Sequence, residues 1–445
     1  MESIGRRTFL SRAAAGTVAL GAALPGTGAT AKGAAEEAKE KPGPEGQGAK
    51  IRLGLIGCGW YGMVDLRAAL KAGGVEVLAL SDVDSENLRK AADEVEKLTG
   101  SRPKTYRLYE ELLEVPGLEA VIIATPPHWH ALPFIAACAK GLDIYCEKPL
   151  SYDVREGRAM VEAARKAGRI VQIGFQRRQS PAFQAARELF QKGELGRVVQ
   201  VDVQIHYQAG MRDWKPQPPP ASLDWDLWCG PAPFKPYSPN IGHFAWRLEK
   251  TTGHGHLVDW GIHLIDATRS ILGESMPRAI QAAGGIYYFQ DAITTPDILT
   301  VHFDFPTCPV VWRHRIWGAE EYDPETSNGV FLYGEKATVF VTDDRWVVIP
   351  RGRGNERQVH KVEPPVDLGL RHVAEFLEAV RTRKPPSCLV EDAYRSTATV
   401  QLAMIAYDVG ARIVWDDVEE EIVGNPAAAK LLKREYRAPW KHPAS

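Results

Sequence analysis

From Ile51 onward the chain alternates short apolar runs with amphipathic segments, the pattern of a parallel sheet covered by helices. Ile51–Ile56 is predicted as the first strand, residues 61–71 as a helix by their apolar spacing, and Val75–Ser81 as the second strand. Apolar runs at 120–124 and 143–146 predict two more strands of this half. In the second half the apolar and polar positions predict strands at 199–206, 281–288, 298–305, 308–314, 329–333, 338–341 and 345–349, enough for one large sheet. Residues 392–410 read as a long amphipathic helix, expected to pack back against the first half.

Upstream of Ile51 the pattern is different. Arg6-Arg7-Thr8-Phe9-Leu10, an alanine-rich apolar stretch from Ala13 to Leu24 and the small-residue site Ala29-Thr30-Ala31 have the parts of a twin-arginine export signal. The apolar stretch is too short to span a bilayer stably, so no membrane span is expected in the mature protein. Residues 1–31 are therefore read as a signal and 32–50, rich in Ala, Glu, Lys, Gly and Pro, as a solvated linker. The remainder divides into two domains, 51–172 and 173–417, and a tail at 418–445, an arm over the domain surface or over a neighbouring subunit.

Composition narrows the partners. A formal net charge of -2 and the lack of a basic patch with interleaved aromatics argue against nucleic acid and for a small neutral molecule. The six cysteines, Cys58, Cys138, Cys146, Cys229, Cys308 and Cys388, are scattered without metal-ligand spacing and read as buried thiols.

The first chemical motif is Gly57-Cys58-Gly59-Trp60-Tyr61-Gly62, between the first strand and the first helix. Gly57 permits the tight turn, Gly59 lets the backbone approach a pyrophosphate, and Gly62 lets helix and strand pack closely. Trp60 and Tyr61 begin the helix whose N–H groups face the phosphates. Asp82 follows the second strand about twenty residues on, where an acid binds ribose hydroxyls and repels a 2′-phosphate, so NAD is favoured over NADP. Asp84 either assists Asp82 at the ribose or sits in a solvated turn, the second being favoured. Thr125-Pro126, His130 and Glu147-Lys148-Pro149 lie beyond carboxyl ends of predicted strands, where ligands bind in an open α/β sheet.

Taken in order, the glycine fingerprint, Thr125-Pro126 with His130, Glu147-Lys148-Pro149, Gly174-Phe175-Gln176-Arg177-Arg178 and Asp259-Trp260-Gly261-Ile262-His263 resemble the Gfo/Idh/MocA oxidoreductases. The resemblance covers nearly the whole chain after the signal. It implies an α/β fold: an N-terminal Rossmann domain, then a C-terminal α/β domain with a large open-faced, mostly antiparallel sheet, the substrate lying between them. It also implies sugar or polyol substrates, a homodimer or homotetramer, Lys148 at the nicotinamide and the reacting hydroxyl, and Asp259 with His263 as its catalytic partners.

Oxidising a secondary alcohol needs a base for the hydroxyl proton and a donor that holds the developing alkoxide. His263 is the expected base, Lys148 the donor, and Asp259, one helical turn before His263, is expected to orient the imidazole or bind a neighbouring hydroxyl. Gln176 and Arg177 are candidate hydroxyl binders near the cleft, while Arg178 has an equal claim to a surface role. Trp214, Trp225, Trp228, Trp246 and Trp260 crowd one stretch; Trp246 and Trp260 are the first choices as sugar-stacking platforms, loop packing being the competing role for each. His254 and His256 read as second-layer or sugar-contacting residues. With Asp259 and His263 they fit no standard zinc signature, and no metal is expected. The Pro- and Trp-rich loops at 210–241 are expected to roof the substrate.

An exported dinucleotide enzyme has no cofactor pool outside the cytoplasm. The chain is therefore expected to be periplasmic or otherwise extracytoplasmic, to be exported folded, and to retain NAD through its cycle. The leading expectation is hydride transfer from a saccharide, polyol or glycoside. Two alternatives stand beside it: redox-neutral glycoside cleavage or epimerisation using NAD catalytically, and a sugar-binding protein without chemistry.

Overall fold

The computed structural model describes residues 49–319 and 326–444. The twin-arginine leader and nearly all of the linker fall outside the described residues. Among the described residues no helix is long and apolar enough to cross a membrane.

The first half is a six-stranded parallel sheet in the order β3-β2-β1-β4-β5-β6, formed by Ile51–Ile56 (β1), Val75–Ser81 (β2), Lys104–Tyr106 (β3), Ala120–Ile123 (β4), Asp143–Cys146 (β5) and Val171–Ile173 (β6). The strand order reverses between β1 and β4, and the crevice at such a switch point, outside the carboxyl ends, is where ligands bind. Leu53, Leu55, Ile122 and Tyr145 are fully or almost fully buried in this sheet. β3 and β6 are three residues each, too short for a periodicity signal.

The second half carries a ten-stranded sheet in the order β14-β13-β12-β11-β7-β10-β9-β8-β15-β16. In chain order these are Val198–His206 (β7), Ala279–Gly285 (β8), Ile298–Asp304 (β9), Pro309–Arg315 (β10), Asn328–Gly334 (β11), Ala337–Val341 (β12), Arg345–Pro350 (β13), Gln358–Lys361 (β14), Ile413–Asp416 (β15) and Glu421–Val423 (β16). Only β7 and β10 pair in parallel; every other neighbouring pair is antiparallel. β8 ends at Gly285, three residues before the sequence predicts, because the Asp297 carboxylate collects the N–H groups of Tyr287, Tyr288 and Phe289 and draws them out of the ladder.

Helices Pro181–Gln191, Ile262–Leu272 and Val390–Val409 cover one face of this sheet, contributing to a core that includes the fully buried Trp312 and Phe303. The long helix also packs on the nucleotide half through helix Val154–Ala167. A second helix, Leu368–Thr382, returns to helix Trp60–Ala72 and inserts Phe376 into the nucleotide core, a contact without a sequence signal.

The segment read as a tail belongs to the body of the molecule. β16 extends the large sheet, and Arg434 reaches back to Glu156 at 2.8 Å and to the His128 carbonyl at 2.8 Å. Asp153, the N-cap of helix Val154–Ala167, accepts from the Arg434 amide and bonds His442. The arm therefore lies over its own chain's nucleotide half. All six cysteines are buried and unpaired.

Candidate active site

The glycine loop is built as its spacing demands. Gly57 sits at φ +94°, and a Cβ there would stand 2.8 Å from the Ala124 backbone. A Cβ on Gly62 would lie 1.9 Å from the Gly57 carbonyl oxygen, so this glycine allows close helix packing and stays out of the cavity wall. Gly59 has open space where a Cβ would go. As N-cap of helix Trp60–Ala72 it offers no side chain to the first amides, leaving them for an anion. These are the features a dinucleotide pyrophosphate requires, and the residues fit it.

Asp82 accepts hydrogen bonds from the Cys58 amide at 2.7 Å and the Asp84 amide at 2.8 Å, which ties the glycine loop to the end of β2 and leaves its remaining lone pairs toward the cavity. Burial holds its carboxyl above the ordinary range. Asp84 is not in a solvated turn: it is buried, caps helix Ser85–Thr99 through the Glu86 amide and bonds His243 at 3.0 Å. His243 comes from the second half, and so does a strap that crosses here. The Ser85 amide donates to Ser222, the Asp224 amide donates to Val83, and Arg107 pairs with Asp224 at 2.9 Å. Trp129 donates through its indole N–H to the Leu227 carbonyl at 2.9 Å.

A single cavity of about 1490 Å³ runs from this strap past the glycine loop to the second half. Trp60, Tyr61, Thr125, Pro126, Glu147 and Lys148 line it from the nucleotide side; Gln176, Arg177, Trp246, His256, Asp259, Trp260 and His263 line it from the other. His130 does not. Its two ring nitrogens lie 2.7 Å from the Pro149 and Thr125 carbonyl oxygens; burial pushes its pKa down to about 4, so the neutral ring donates its one N–H to one carbonyl and packs against the other, behind the ligand-facing turns and not in the cavity where cofactor contact is expected.

Lys148 Nζ bonds Oδ1 of Asp259 at 3.0 Å and the Asp259 carbonyl oxygen at 2.6 Å. The other carboxylate oxygen of Asp259 meets Arg247 at 3.1 Å. Burial raises the Asp259 pKa, but Lys148 and Arg247 outweigh it and hold the carboxyl below the usual range. An ammonium has three protons, and two are used on Asp259, so one remains for an oxygen in the cavity.

His263 is not oriented by Asp259. Leu257–Gly261 winds as a π-helix before the α-helix Ile262–Leu272, and the wider turn breaks the i, i+4 alignment that the sequence spacing implies. No hydrogen bond joins the two residues among those described, and His263 Nδ1 has no partner. Edge contacts with Phe175 and Trp260 hold the ring. Burial, then the charges of Lys148 and Arg177, push its pKa well below 6.5, so it is neutral and able to accept a proton at physiological pH.

Glu147 is buried, with Gln176 Nε2 at 2.8 Å on Oε1 and the Lys148 amide at 3.2 Å on Oε2. Burial raises its pKa to about 7 against the pull of Lys148. Gln176 thus reaches the cavity mainly as a brace for Glu147. Arg177 makes a bidentate pair with Asp343 at 2.7 and 2.8 Å and stacks 5.0 Å over Trp260, whose orientation it fixes. Arg178 is no surface residue; it is buried against Asp266 and Asp392 and ties two helices together.

His256 contacts Tyr207 and His314 and keeps Nε2 without a partner, whereas His254 turns away to the Tyr152 carbonyl at 2.9 Å. Trp225 stacks on Trp228 at 4.5 Å in its own cluster and serves loop packing, and Trp214 lies outside the main cavity. The loops at 210–241 therefore clasp the nucleotide half, and Gly210, Arg212, Leu227 and Trp228 from them line the cavity. Sequence reasoning missed Asp65 and Arg247, both of which line the cavity. For Asp65 the signal was a carboxyl set between Val64 and Leu66 on a helix that must bury one face.

Known proteins extend this picture. The description "Oxidoreductase family, NAD-binding Rossmann fold" matches residues 51–175, and "Oxidoreductase family, C-terminal alpha/beta domain" matches residues 187–442, through the segment read as a tail. The rhizopine catabolism protein MocA of Rhizobium meliloti is 28% identical over 226 residues, 51% of this chain and 58% of that protein, so the chain spans little more than half of it. The myo-inositol 2-dehydrogenase of Thermotoga maritima is 25% identical over 77% of this chain and 92% of its own length. Among solved structures, the aldose-aldose oxidoreductase of Caulobacter crescentus, complexed with glycerol, superposes with a TM-score of 0.64 over 82% of this chain and 99% of that one at 19% identity, a likeness of fold. With both halves matched in order, the chain belongs to the Gfo/Idh/MocA family of NAD(P)-dependent oxidoreductases, its first half being the family's NAD-binding Rossmann fold.

Proposed function

We propose that this protein oxidises a secondary hydroxyl of a sugar or polyol with NAD held in the cleft between its two halves. The observation that carries the reading is the Lys148–Asp259 pair, 3.0 Å apart, in the cavity that also contains His263 and the glycine loop. When bound, NAD supplies the hydride acceptor. Neutral His263 takes the hydroxyl proton, and the third proton of Lys148 steadies the oxygen as charge develops on it. Trp246 and Trp260 offer flat apolar surfaces to a sugar ring. The names of the relatives, an inositol dehydrogenase and an aldose oxidoreductase, support a polyhydroxylated substrate. The Asp82 carboxylate supports NAD over NADP.

Retention of the cofactor is part of the proposal. The strap from Ser222 to Asp224 and the His243–Asp84 bond cross beside Asp82, where the adenosine ribose is expected, so nucleotide release requires them to open. Export by the twin-arginine route, placing the folded enzyme in the periplasm, rests on Arg6-Arg7 and the leader that follows. A homodimer or homotetramer rests on the family resemblance and on the breadth of the ten-stranded sheet.

The test is a panel of saccharides and polyols mixed with nucleotide-loaded protein while nicotinamide absorbance is followed. Reduction of bound NAD by at least one sugar or polyol is expected. Release of free sugar with no reduction by any compound would favour the redox-neutral alternative instead.

A further inference from the structure

Asp65 lies in helix Trp60–Ala72, 2% exposed, at the cavity wall, and its Oδ2 is buried without a hydrogen-bond partner among the described residues. A buried carboxyl without a partner costs free energy, and a site that retains one has a use for it. Glu147, 5% exposed, faces the same region and interacts electrostatically with it. Around them Tyr61 and Tyr145 keep their phenol protons, with burial as the main cause, and Lys148 carries the nearby positive charge. Burial first, and the Glu147 charge second, hold the Asp65 carboxyl well above the ordinary range, and two buried acids facing one region disfavour ionising together.

Two carboxyl groups that hold one proton present one O–H donor and several acceptor lone pairs. That set is complementary to a primary amide, which has one carbonyl acceptor and two N–H donors. Gln176 already occupies Oε1 of Glu147, and the Lys148 amide one side of Oε2, which fixes this carboxyl in place and leaves lone pairs free. We propose that Asp65 and Glu147 form the binding site for the carboxamide group of the nicotinamide ring, Asp65 being the unassigned half of that site. The proposal rests on the dinucleotide reading above, and it makes Asp65 a cofactor-positioning residue.

The experiment measures equilibrium binding of NAD, of ADP-ribose, which lacks the nicotinamide, and of 3-acetylpyridine adenine dinucleotide, which lacks the amide N–H groups. Nucleotide-free full-length protein is compared with its Asp65→Leu and Asp65→Asn variants. Wild type should bind NAD about tenfold or more tightly than the acetylpyridine analogue. Asp65→Leu should lose about that factor for NAD and bind ADP-ribose unchanged, while Asp65→Asn, which still offers a donor and an acceptor, should stay close to wild type. Equal wild-type affinity for NAD and the analogue overturns the proposal even where Asp65→Leu does not fold. Equal losses for NAD and ADP-ribose in Asp65→Leu also overturn it, since that is a structural role. A wild-type protein that binds ADP-ribose and not NAD overturns it alone; one that binds neither removes the oxidoreductase reading together with it.

Discussion

Lys148 of the nucleotide half and Asp259 of the second half are joined twice, through the carboxylate at 3.0 Å and through the carbonyl oxygen at 2.6 Å. The aspartate therefore fixes where the ammonium points. Lys148→Ala is expected to lower sugar-dependent reduction of bound NAD by about 10²-fold or more while nucleotide binding persists. Asp259→Asn keeps a hydrogen-bond acceptor but loses the charge, so a smaller loss in kcat is expected. Steady-state kinetics on both variants checks the order; equal or reversed losses would remove the positioning role.

His263 has a pKa well below 6.5, set first by burial and then by Lys148 and Arg177. A base already neutral at mild acidity gives no loss of kcat/KM as pH falls through its ordinary value near 6.5. A rate profile that bends there and loses the bend in His263→Asn would contradict this. The same substitution should cost about 10²- to 10⁴-fold in rate.

Glu147 shows the reverse case, an acid raised by burial to about 7 in the folded protein against about 4.3 unfolded. Between those values the native state binds the extra proton, so unfolding free energy falls as pH rises through that window, by up to about 4 kcal/mol. Denaturant titrations at about pH 5 and about pH 8 should show a smaller decline in Glu147→Gln than in wild type. An identical decline would place the ionisation elsewhere.

His130 braces the Thr125 and Pro149 carbonyls and does not reach the cavity. His130→Ala is expected to lower stability by about 1–3 kcal/mol, as loss of a buried hydrogen bond does. Direct contact with the cofactor would instead appear as weakened NAD binding in a protein of unchanged melting temperature.

The His243–Asp84 bond and the strap beside it enclose the expected adenosine end. Protein purified without added nucleotide is expected to contain NAD by mass spectrometry after denaturation. His243→Ala should release it faster in a dilution chase. Empty wild-type protein would defeat the retention proposal.

The parts legible in the sequence are those where backbone geometry dictates residue type. Gly57 and Gly62 can be nothing larger, and Asp82 stands where the second strand must end, so spacing alone located them. Lys148 was found because a strand end and a familiar tripeptide coincide. The failures share a cause as well. His130 sits in a segment that faces the ligand while its own ring points behind it, and side-chain direction is absent from spacing. The Asp259–His263 relation was drawn on an α-helical wheel that the π-helical turn at Leu257–Gly261 does not obey. Helix Leu368–Thr382 and the terminal arm reach the nucleotide half from hundreds of residues away, which local patterning does not encode.

That arm has a consequence for the order in which the protein comes into being. Asp153 and Glu156, at the start of a helix in the nucleotide half, find their buried partners in Arg434, Tyr436 and His442. A ribosome that has made the entire dinucleotide fold has still not made the residues that hydrogen-bond its buried acids. The nucleotide half is thus completed only after residue 442 has emerged, so its last buried contacts form when nearly the whole chain is present.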